Sequence, residues 1–402
     1  MKRNSYIKMV KELHRSTVTP VDQSLVGSLI KRTRIANGKT QYDVAKGICS
    51  VSYLSKIENG QYGKDNLFVQ EILQKMDVSI TPMADVDFPK LQRQAIQAFV
   101  NYKYDVIQGI HARFGKLMHP SEWIIELIWR VSQKESVEEA FDYLNQHRRV
   151  LNPLELSIFL TLYVYVAVNE FRLRDAEQMM DLLDELPEIV PAIGIIIKWV
   201  WGRYYIFKGD FSAALLHLNL LLIDYSSVIS DRLRLDVHYH YLLIFSWTNR
   251  PKPAAKILTY IQMMGGQSEY QHYSMGFYYL MNQQIDEAVK EFLAAKDTFF
   301  ELSLLGIIEC FFRSGDKTKV TNYRTILVES DAPLFYERLA SLFLLLSQQE
   351  LAPLKDFITH ILQPMFMHQS IYYYKKLAIE SLQEYYRGIS RYKQVDLLRG
   401  KL

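Results

Sequence analysis

Apolar residues recur at helical spacing over almost the whole chain. Between residues 25 and 37, and again between residues 66 and 76, they fall three or four positions apart. This spacing puts apolar side chains on one face of an amphipathic helix, whereas a half-buried strand alternates at every second residue. No alternating run is longer than a few residues. The pattern therefore predicts an all-α protein.

Two shorter helices are predicted between these two segments. Thr40 can cap a helix of residues 41–46, and Ser50 can cap a helix of residues 51–59, because an N-cap hydroxyl accepts a hydrogen bond from a free backbone N–H. The apolar side chains that would face a shared core are Val44, Ala45, Leu54 and Ile57. Four short helices would then form one small domain.

This pair of short helices resembles the helix-turn-helix of the Xre/Cro-type repressor family. That family has Thr-Gln, a buried Ala four residues after the Gln, and a closing Ser-(Lys/Arg)-Ile-Glu-Asn-Gly. The pattern is matched here by Thr40-Gln41, Ala45 and residues 55–60. The resemblance covers residues 24–80. It implies a lambda-repressor-like domain that binds double-stranded DNA and inserts its second helix into the major groove.

The resemblance also implies roles for individual side chains. Gln41 and Asn59 would hold DNA phosphates, while Val51, Ser52 and Lys56 would approach base edges. Val51 replaces the usual polar residue and suits the methyl group of a thymine. The candidates for DNA binding are Gln41, Ser50, Val51, Ser52, Tyr53, Ser55, Lys56 and Asn59.

The distribution of charge agrees with DNA binding. Residues 1–66 contain 12 Lys or Arg and 5 Asp or Glu, a net charge of +7, whereas the whole chain carries +3. The basic charge is thus concentrated where DNA would lie. Residues 1–23 form a basic segment ahead of the first helix. We expect this segment to be disordered, and an arm that grips DNA is the alternative.

The helical pattern beyond residue 120 falls into loose repeats. The motif Gly-x-x-Tyr-x8-Ala starts at Gly202 and recurs at Gly276, 74 residues later. It resembles tetratricopeptide repeats, in which a small residue lets two helices approach and an Ala opens the second helix. The alanines predicted to open successive second helices are Ala140, Ala176, Ala214, Ala255 and Ala288. A right-handed TPR-like solenoid of paired helices is the resulting prediction.

The two parts together resemble a superfamily of peptide-pheromone regulators. The segment between the two short helices, Gly47-Ile48-Cys49, is one residue shorter than in typical phage repressors, as in the Rgg, Rap, NprR, PlcR and PrgX superfamily. Its members join such a DNA-binding domain to a degenerate tetratricopeptide domain. The resemblance implies a quorum-sensing homodimer whose solenoid binds a short signalling oligopeptide and changes how its two DNA-binding domains are held.

A groove lined by the first helix of each pair would bind that peptide. An Asn can clamp a peptide backbone, an aromatic ring can form a side-chain pocket, and an Arg can take a carboxylate. Packing between repeats is the alternative role for the aromatic residues. The candidates for peptide binding are Tyr165, Asn169, Arg203, His240, Tyr273, Phe277, Glu309 and Arg313.

Four segments follow from these patterns. Residues 1–23 are the basic segment, and residues 24–80 form the helix-turn-helix domain. Residues 81–119, which include two prolines near their start, form a linker and a connecting helix. Residues 120–402 form the repeat domain with a C-terminal capping helix. At 402 residues and 49% hydrophobic, the chain can form two or more domains.

Several classes of protein are not expected. The longest apolar runs are shorter than the about 20 residues of a membrane span, and no export signal is recognised. The two cysteines lie far apart, which favours a reduced, cytoplasmic protein. No catalytic motif or phosphate-binding glycine loop occurs, and His238-x-His240 has no third ligand nearby. We therefore expect neither an enzyme nor a metal or other cofactor.

Two other functions stay open on the sequence alone. The repeat domain could engage a response-regulator protein, as the Rap-type members do. Alternatively, the chain could be a plain repressor whose helical domain only dimerises. The sequence specifies neither the peptide, nor the operator, nor whether the peptide activates or releases DNA binding.

Overall fold

The chain folds into helices joined by turns. Near the N-terminus, the computed structural model describes residues 26–76 except 28–29, 32, 36, 60 and 63–66. Further along the chain it describes residues 86–114, 119–148, 151–185, 190–330, 332–348, 357 and 372–388. No strand occurs among these residues, which confirms the predicted all-α class. The predicted basic segment 1–23 and the start of the predicted linker, residues 81–85, lie outside the described residues.

The N-terminal helices share one small core. Helical residues between 26 and 35 precede α1 (Gln41–Ala45), α2 (Val51–Glu58) and α3 (Leu67–Lys75). Helices this short are unstable alone in water, so burial of their apolar faces must hold them together. The core consists of Ile30, Val44, Ala45, Leu54, Ile57, Val69, Ile72, Leu73 and Met76. All four core residues predicted in α1 and α2 are therefore confirmed.

The rest of the described chain continues mainly as pairs of helices. The first pairs are α4 (Phe88–Val100) and α5 (Tyr104–His111), α6 (Pro120–Gln133) and α7 (Glu138–Gln146), and α8 (Pro153–Asn169) and α9 (Leu173–Asp184). Next come α10 (Pro191–Lys208) and α11 (Phe211–Asp224), α12 (Asp231–Trp247) and α13 (Pro251–Met264), and α14 (Gln271–Met281) and α15 (Ile285–Ala294). The last are α16 (Phe300–Ser314) and α17 (Lys317–Glu329), α18 (Leu334–Gln348) and α19 (Tyr372–Gly388). None of the described helices has the length and apolarity needed to cross a membrane.

The described helices group into two compact units. Unit 1 contains the described residues up to Ala167 together with Asp175–Ile197, and unit 2 contains Val168–Arg174 and the described residues from Lys198 onward. In unit 2 the first helices of successive pairs pack side by side, α12 against α14, α14 against α16 and α16 against α18. We call the surface formed by these helices the first-helix face.

Two glycines and one phenylalanine bring the helices of unit 2 close together. A Cβ added at Gly276 in α14 would lie 2.6 Å from the Phe292 ring, and one added at Gly306 in α16 would lie 2.8 Å from the same ring. Phe292 in α15 is fully buried. The small residue of the repeat motif therefore makes room for a ring of the second helix, as predicted for Gly276.

One predicted repeat position is wrong by a single residue. Ala140, Ala176, Ala214 and Ala288 are all buried in second helices as predicted, but Ala255 is exposed and Ala254 is fully buried. Because α13 already begins at Pro251, residue 254 takes the inward position of the first turn.

The segment predicted as a linker and a connecting helix contains two helices in its described part. Residues 88–111 form two helices, α4 and α5, and both pack against α6. Asp87 caps α4 by accepting a hydrogen bond from the Lys90 N–H at 3.0 Å, and Pro89 lies in the first turn, where a missing N–H costs nothing. The proline therefore marks the start of a helix rather than a linker. Paired helices begin before residue 120.

Candidate DNA-binding and ligand-binding sites

Local hydrogen bonds define both ends of α2, the predicted DNA-reading helix. The Ser50 hydroxyl accepts a hydrogen bond from the Tyr53 N–H at 3.1 Å, as an N-cap does. At the other end, Asn59 Nδ2 donates to the Ser55 carbonyl oxygen at 2.8 Å. Thr40 caps α1 in the same way, in a reciprocal capping box with Asp43. Both predicted N-caps are confirmed.

Burial on one side of α2 leaves a polar surface on the other. Leu54 and Ile57 are fully buried. The DNA-binding candidates Ser50, Val51, Ser52, Lys56 and Asn59 are exposed, and Ser55 is partly exposed. A helix held by its apolar side and exposing short polar and basic side chains on the other can approach base edges.

Tyr53 differs from the other candidates on α2. It is only partly exposed, because its ring packs edge-on against Phe68 of α3 with centroids 5.6 Å apart, and it also contacts the N-terminal core. Tyr53, which the sequence predicts as a DNA-binding residue, therefore lies at the border of the core. Its contribution to DNA binding stays a prediction.

A buried carboxylate connects α1, α2 and the helical segment before them. Glu58 is 5% exposed and accepts hydrogen bonds from Arg34 Nε at 2.6 Å and from Gln41 Nε2 at 2.8 Å. Arg34 Nη2 donates to the second carboxylate oxygen at 3.1 Å, which makes the pair bidentate. Gln41, predicted to hold a phosphate, is thus oriented by Glu58. No local sequence pattern indicates the pairing of Arg34 with Glu58, since they lie 24 residues apart.

Exposed lysines surround the N-terminal helices. Lys31, Lys39, Lys46 and Lys56 are all exposed. Lys75 has a structural role instead, because its ammonium donates to the carbonyl oxygens of Val44 at 3.1 Å and of Lys46 at 2.6 Å, at the end of α1. Such a cation stabilises the carbonyl end of a helix.

Tyr165 is the peptide-binding candidate that lies in unit 1. It is partly exposed, and its ring packs edge-on against Phe99 of α4 with centroids 5.4 Å apart. Its ring therefore makes an inter-helix contact, the alternative role that the sequence left open for the aromatic candidates.

Asn169 and Arg203 are brought together in unit 2. Arg203 Nη1 donates to the side-chain oxygen of Asn169 and, at 3.0 Å, to the Tyr270 hydroxyl. The guanidinium also lies over the Tyr270 ring, 5.1 Å from its centroid. Arg203 is 5% exposed. These two candidates are therefore parts of one hydrogen-bonded cluster around the buried Arg203, and their peptide-binding role stays a prediction.

His240 belongs to the same cluster and is neutral. Its Nδ1–H donates to the Asp236 carbonyl oxygen at 2.8 Å, and its ring packs edge-on against Trp199 and Tyr270. Burial, with a smaller effect from nearby Arg203, lowers the pKa of His240 to about 3. The imidazole therefore fills space and donates one hydrogen bond without carrying charge at neutral pH. No group of acidic, His and Cys residues in the described part of the chain is arranged to hold a metal ion.

Tyr273 and Phe277 are buried in the first-helix face. Tyr273 is 4% exposed and Phe277 is 2% exposed, and the two rings pack edge-on with centroids 5.2 Å apart. Both also contact Phe292, so they take part in the packing between helices. Their burial agrees with the alternative that the sequence left open for inward aromatic residues.

Glu309 and Arg313 form an ion pair with a partner that the sequence did not reveal. Arg313 Nη2 donates to Glu309 Oε1 at 2.6 Å, and the hydroxyl of Tyr373 in α19 donates to the same oxygen at 2.7 Å. Glu309 is fully buried, and this burial raises the pKa of its carboxyl in spite of Arg313. The ion pair raises the pKa of Arg313. The predicted capping helix therefore also reaches the first-helix face.

A cavity of about 400 Å³ lies beside this ion pair. This volume is within the range of small-ligand pockets. Two peptide-binding candidates, Phe277 and Arg313, line it. Its other walls come from the ends of α12 and α14 and from α19, namely Ser246, Trp247, Asn249, Leu280, Met281, Gln283, Tyr373, Lys376, Leu377 and Glu380.

Comparison with known proteins identifies the N-terminal domain. The family model described as Helix-turn-helix, HTH_3, matches residues 30–82. The exposed α2, its caps and its core lie within these residues. The chain therefore carries an Xre-type helix-turn-helix domain, and by class it is a DNA-binding regulator.

Two solved structures match about two thirds of the chain. PlcR of Bacillus thuringiensis, in complex with the peptide PapR7 and DNA, covers 66% of this chain and 99% of its own at 15% identity, with a TM-score of 0.33. The Streptococcus dysgalactiae SHP pheromone receptor Rgg2 covers 64% of this chain and 98% of its own at 13% identity, with a TM-score of 0.27. These values assign no ligand to the present chain. No curated protein matched it.

Proposed function

We propose that this protein is a cytoplasmic transcription regulator, and not an enzyme, that binds double-stranded DNA through α2 as a homodimer. A short signalling peptide bound at the first-helix face switches it. The matching helix-turn-helix family supports the DNA-binding part. The PlcR structure contains both a peptide and DNA, which places the same two ligand classes in a similar protein.

The observation that carries the proposal is the exposure of α2. Ser52 and Lys56 are exposed on the side of α2 opposite the buried Leu54 and Ile57, and both N-caps hold the helix-turn-helix in place. A lysine contributes phosphate affinity that falls with salt, whereas a serine near base edges contributes to sequence preference. The remaining candidates, from Gln41 to Asn59, would complete the contact.

Switching requires that the peptide bind one arrangement of the dimer better than another. The peptide then shifts the population toward that arrangement and changes the spacing of the two α2 helices on DNA. The cavity beside Phe277 and Arg313 combines aromatic rings with polar side chains and a cation, which suits a short peptide. The alternative function, a plain repressor whose helical domain only dimerises, requires no peptide.

Fluorescence anisotropy of the full chain on labelled duplexes from the flanks of its own gene tests the DNA-binding part. We expect sequence-specific binding that Ser52→Ala and Lys56→Ala each weaken by about 1–3 kcal/mol. Lys56→Ala should also lower the slope of log affinity against log salt by about 1. The matched control is Gln70→Ala, an exposed residue of α3, which should bind like the wild type.

The same duplexes then test the peptide. The small-peptide fraction of the producing culture should change the affinity of the wild type for its specific duplex and leave its affinity for random DNA unchanged. Specific binding that no fraction alters would favour a plain repressor. Binding of every duplex with equal affinity would refute sequence-specific regulation by α2.

A further inference from the structure

Three consecutive tyrosines fix the start of α19 on unit 2. Tyr372 packs edge-on against Phe211 with centroids 5.8 Å apart, and Tyr374 is fully buried and donates from its hydroxyl to the Leu302 carbonyl oxygen at 3.4 Å. Successive residues of a helix are rotated by about 100°, so three in a row cannot share one face. The first turn of α19 therefore contacts other helices on more than one side, with Tyr374 buried and Tyr372 and Tyr373 half-buried, and Tyr373 points toward the first-helix face.

The surroundings of Tyr373 have the chemistry of a phenol-binding pocket. Its ring is stacked on Trp247 at 4.8 Å with an interplanar angle of 19°, and it packs edge-on against Phe277 at 5.0 Å. Its hydroxyl donates to Glu309 Oε1, which also accepts from Arg313. The pocket thus has aromatic walls and a buried acceptor at its end. A phenylalanine would fill the walls but would leave the carboxylate without this donor.

The cavity next to Tyr373 shares its walls with this pocket. Trp247, Phe277, Arg313 and Tyr373 itself all line the cavity. A molecule that fills it therefore touches Tyr373 directly and lies within reach of the same aromatic walls. Among the described residues, none donates a hydrogen bond to the second oxygen of Glu309, Oε2. The buried carboxylate therefore keeps one acceptor oxygen that no described residue uses.

We propose that Trp247, Phe277, Glu309 and Arg313 form a tyrosine-binding pocket that Tyr373 occupies in this structure. A short peptide with a tyrosine of its own enters the adjoining cavity and replaces Tyr373. This inference rests on the proposed function and specifies its ligand class. Replacement of Tyr373 by the tyrosine of the peptide changes the free energy little, because the two side chains make the same contacts. The net affinity of the peptide therefore comes from its other residues, which fill the cavity. Release of the start of α19 is then coupled to peptide binding.

The chain itself supplies a probe for this pocket. The decapeptide IYYYKKLAIE has the sequence of residues 371–380, and with a fluorescein label its binding to the full chain can be followed by anisotropy. In the wild type, the tethered α19 competes at an effective concentration on the order of millimolar. Tyr373→Ala removes that competitor. We expect this variant to bind the probe at least about tenfold more tightly than the wild type.

A second probe carries Phe in place of its third residue, which corresponds to Tyr373. It should bind the Tyr373→Ala variant about tenfold more weakly, because Glu309 loses its phenol donor. Tyr373→Phe is the conservative variant of the protein, since it keeps the ring, and it should give an affinity for the first probe between those of wild type and Tyr373→Ala. Glu384→Ala, an exposed change on the same helix, is the matched control and should bind like the wild type.

Two results would overturn the pocket. One is equal affinity of wild type and both Tyr373 variants for the probe while their helix content by circular dichroism is unchanged. The other is equal affinity for the Tyr and Phe probes. If the probe fails while culture peptides still alter DNA binding, the tyrosine pocket is wrong and the proposed function stands. If the probe binds as expected while no peptide alters DNA binding, the pocket stands and peptide switching is wrong.

Discussion

Arg203 donates a hydrogen bond to the side-chain oxygen of Asn169, so two residues predicted to bind a peptide are bound to each other. The Tyr270 hydroxyl accepts from the same nitrogen at 3.0 Å. Because the guanidinium is buried, each partner that it loses costs desolvation as well as a hydrogen bond. A peptide that binds either residue has to reproduce the interaction that it breaks.

This pairing predicts that changes at the two residues are not additive. Asn169→Ala should lower the free energy of unfolding by about 1–3 kcal/mol, and in a double-mutant cycle with Arg203→Ala the coupling should be about 1–3 kcal/mol. Urea unfolding followed by circular dichroism measures both. The exposed pair Arg172 and Glu170, 2.8 Å apart, is the control and should couple by less than about 1 kcal/mol. Additive effects at Asn169 and Arg203 would contradict the pairing.

Glu58 should be essential for the order of the helix-turn-helix. Glu58→Gln keeps the shape of the side chain but leaves the Arg34 guanidinium without its carboxylate, at a cost of about 3 kcal/mol. Hydrogen exchange in α1 and α2 should then accelerate, and specific DNA binding should weaken. Glu71→Gln, on the exposed side of α3, should change neither. Unchanged exchange in Glu58→Gln would show that the ion pair contributes little.

Substitutions at two serines of the predicted DNA surface, Ser50 and Ser52, should distinguish an effect on domain stability from an effect on DNA affinity. Ser50→Ala removes the N-cap of α2 and should destabilise this domain by about 1 kcal/mol. Ser52→Ala, two residues on and exposed, should change stability by less than about 0.5 kcal/mol. Both changes should weaken specific DNA binding, as measured by anisotropy, while only Ser50→Ala should speed hydrogen exchange in α2. Equal exchange in both variants would show that the cap does not stabilise the helix.

Gly209 and Gly315 form a matched pair for testing the position of α19. Both have a positive φ, 82° and 77°, so an Ala at either position has a similar backbone cost of about 1 kcal/mol. An added Cβ at Gly209 would lie 2.2 Å from the Tyr372 ring, whereas at Gly315 it would meet nothing within 4 Å.

We therefore expect Gly209→Ala, but not Gly315→Ala, to loosen the start of α19. Hydrogen exchange of residues 372–376 should accelerate in the first variant and match the wild type in the second. Equal exchange in both variants would mean that Tyr372 does not rest against Gly209 in solution.

His240 should make the fold sensitive to acid. Its pKa is about 3 in the folded chain, below its ordinary value of 6.5, so between these values the unfolded chain binds a proton that the folded chain does not. Stability is fully present above about pH 6.5 and falls as the pH drops toward 3, by at most about 1.4 kcal/mol per pH unit from this residue. In His240→Phe this contribution should vanish, which makes the loss of stability with falling pH shallower. Urea unfolding at several pH values measures the difference, and equal slopes would contradict a neutral, buried His240.

The helix-turn-helix could be predicted well because its signals are local. Thr40 and Ser50 cap the next few residues, and Leu54 and Ile57 repeat at the spacing of their own helix. The ion pair between Arg34 and Glu58 joins two positions that lie far apart in the sequence, so a local pattern cannot predict it. The all-α class followed from periodicity, whereas the lambda-repressor-like and TPR-like parts of the predicted fold followed from resemblance to known motifs.

The ligand-binding candidates were harder to predict because their environment depends on tertiary contacts. The alanines that open second helices locate the repeats along the chain. They do not show that Asn169 and Arg203 meet, or that Tyr373 reaches Glu309, 64 residues earlier. A shift of one residue, from Ala255 to Ala254, also follows from where Pro251 starts its helix.

The ring of Phe292 occupies the space left by two glycines, Gly276 and Gly306, which belong to two successive first helices. A side chain at either glycine requires a smaller residue at position 292, and a smaller residue there leaves a hole against both neighbours. A substitution at one of these three positions therefore requires a compensating change at another. A repeat inserted or exchanged at this point would therefore have to carry matching residues at its contacts with both neighbouring first helices.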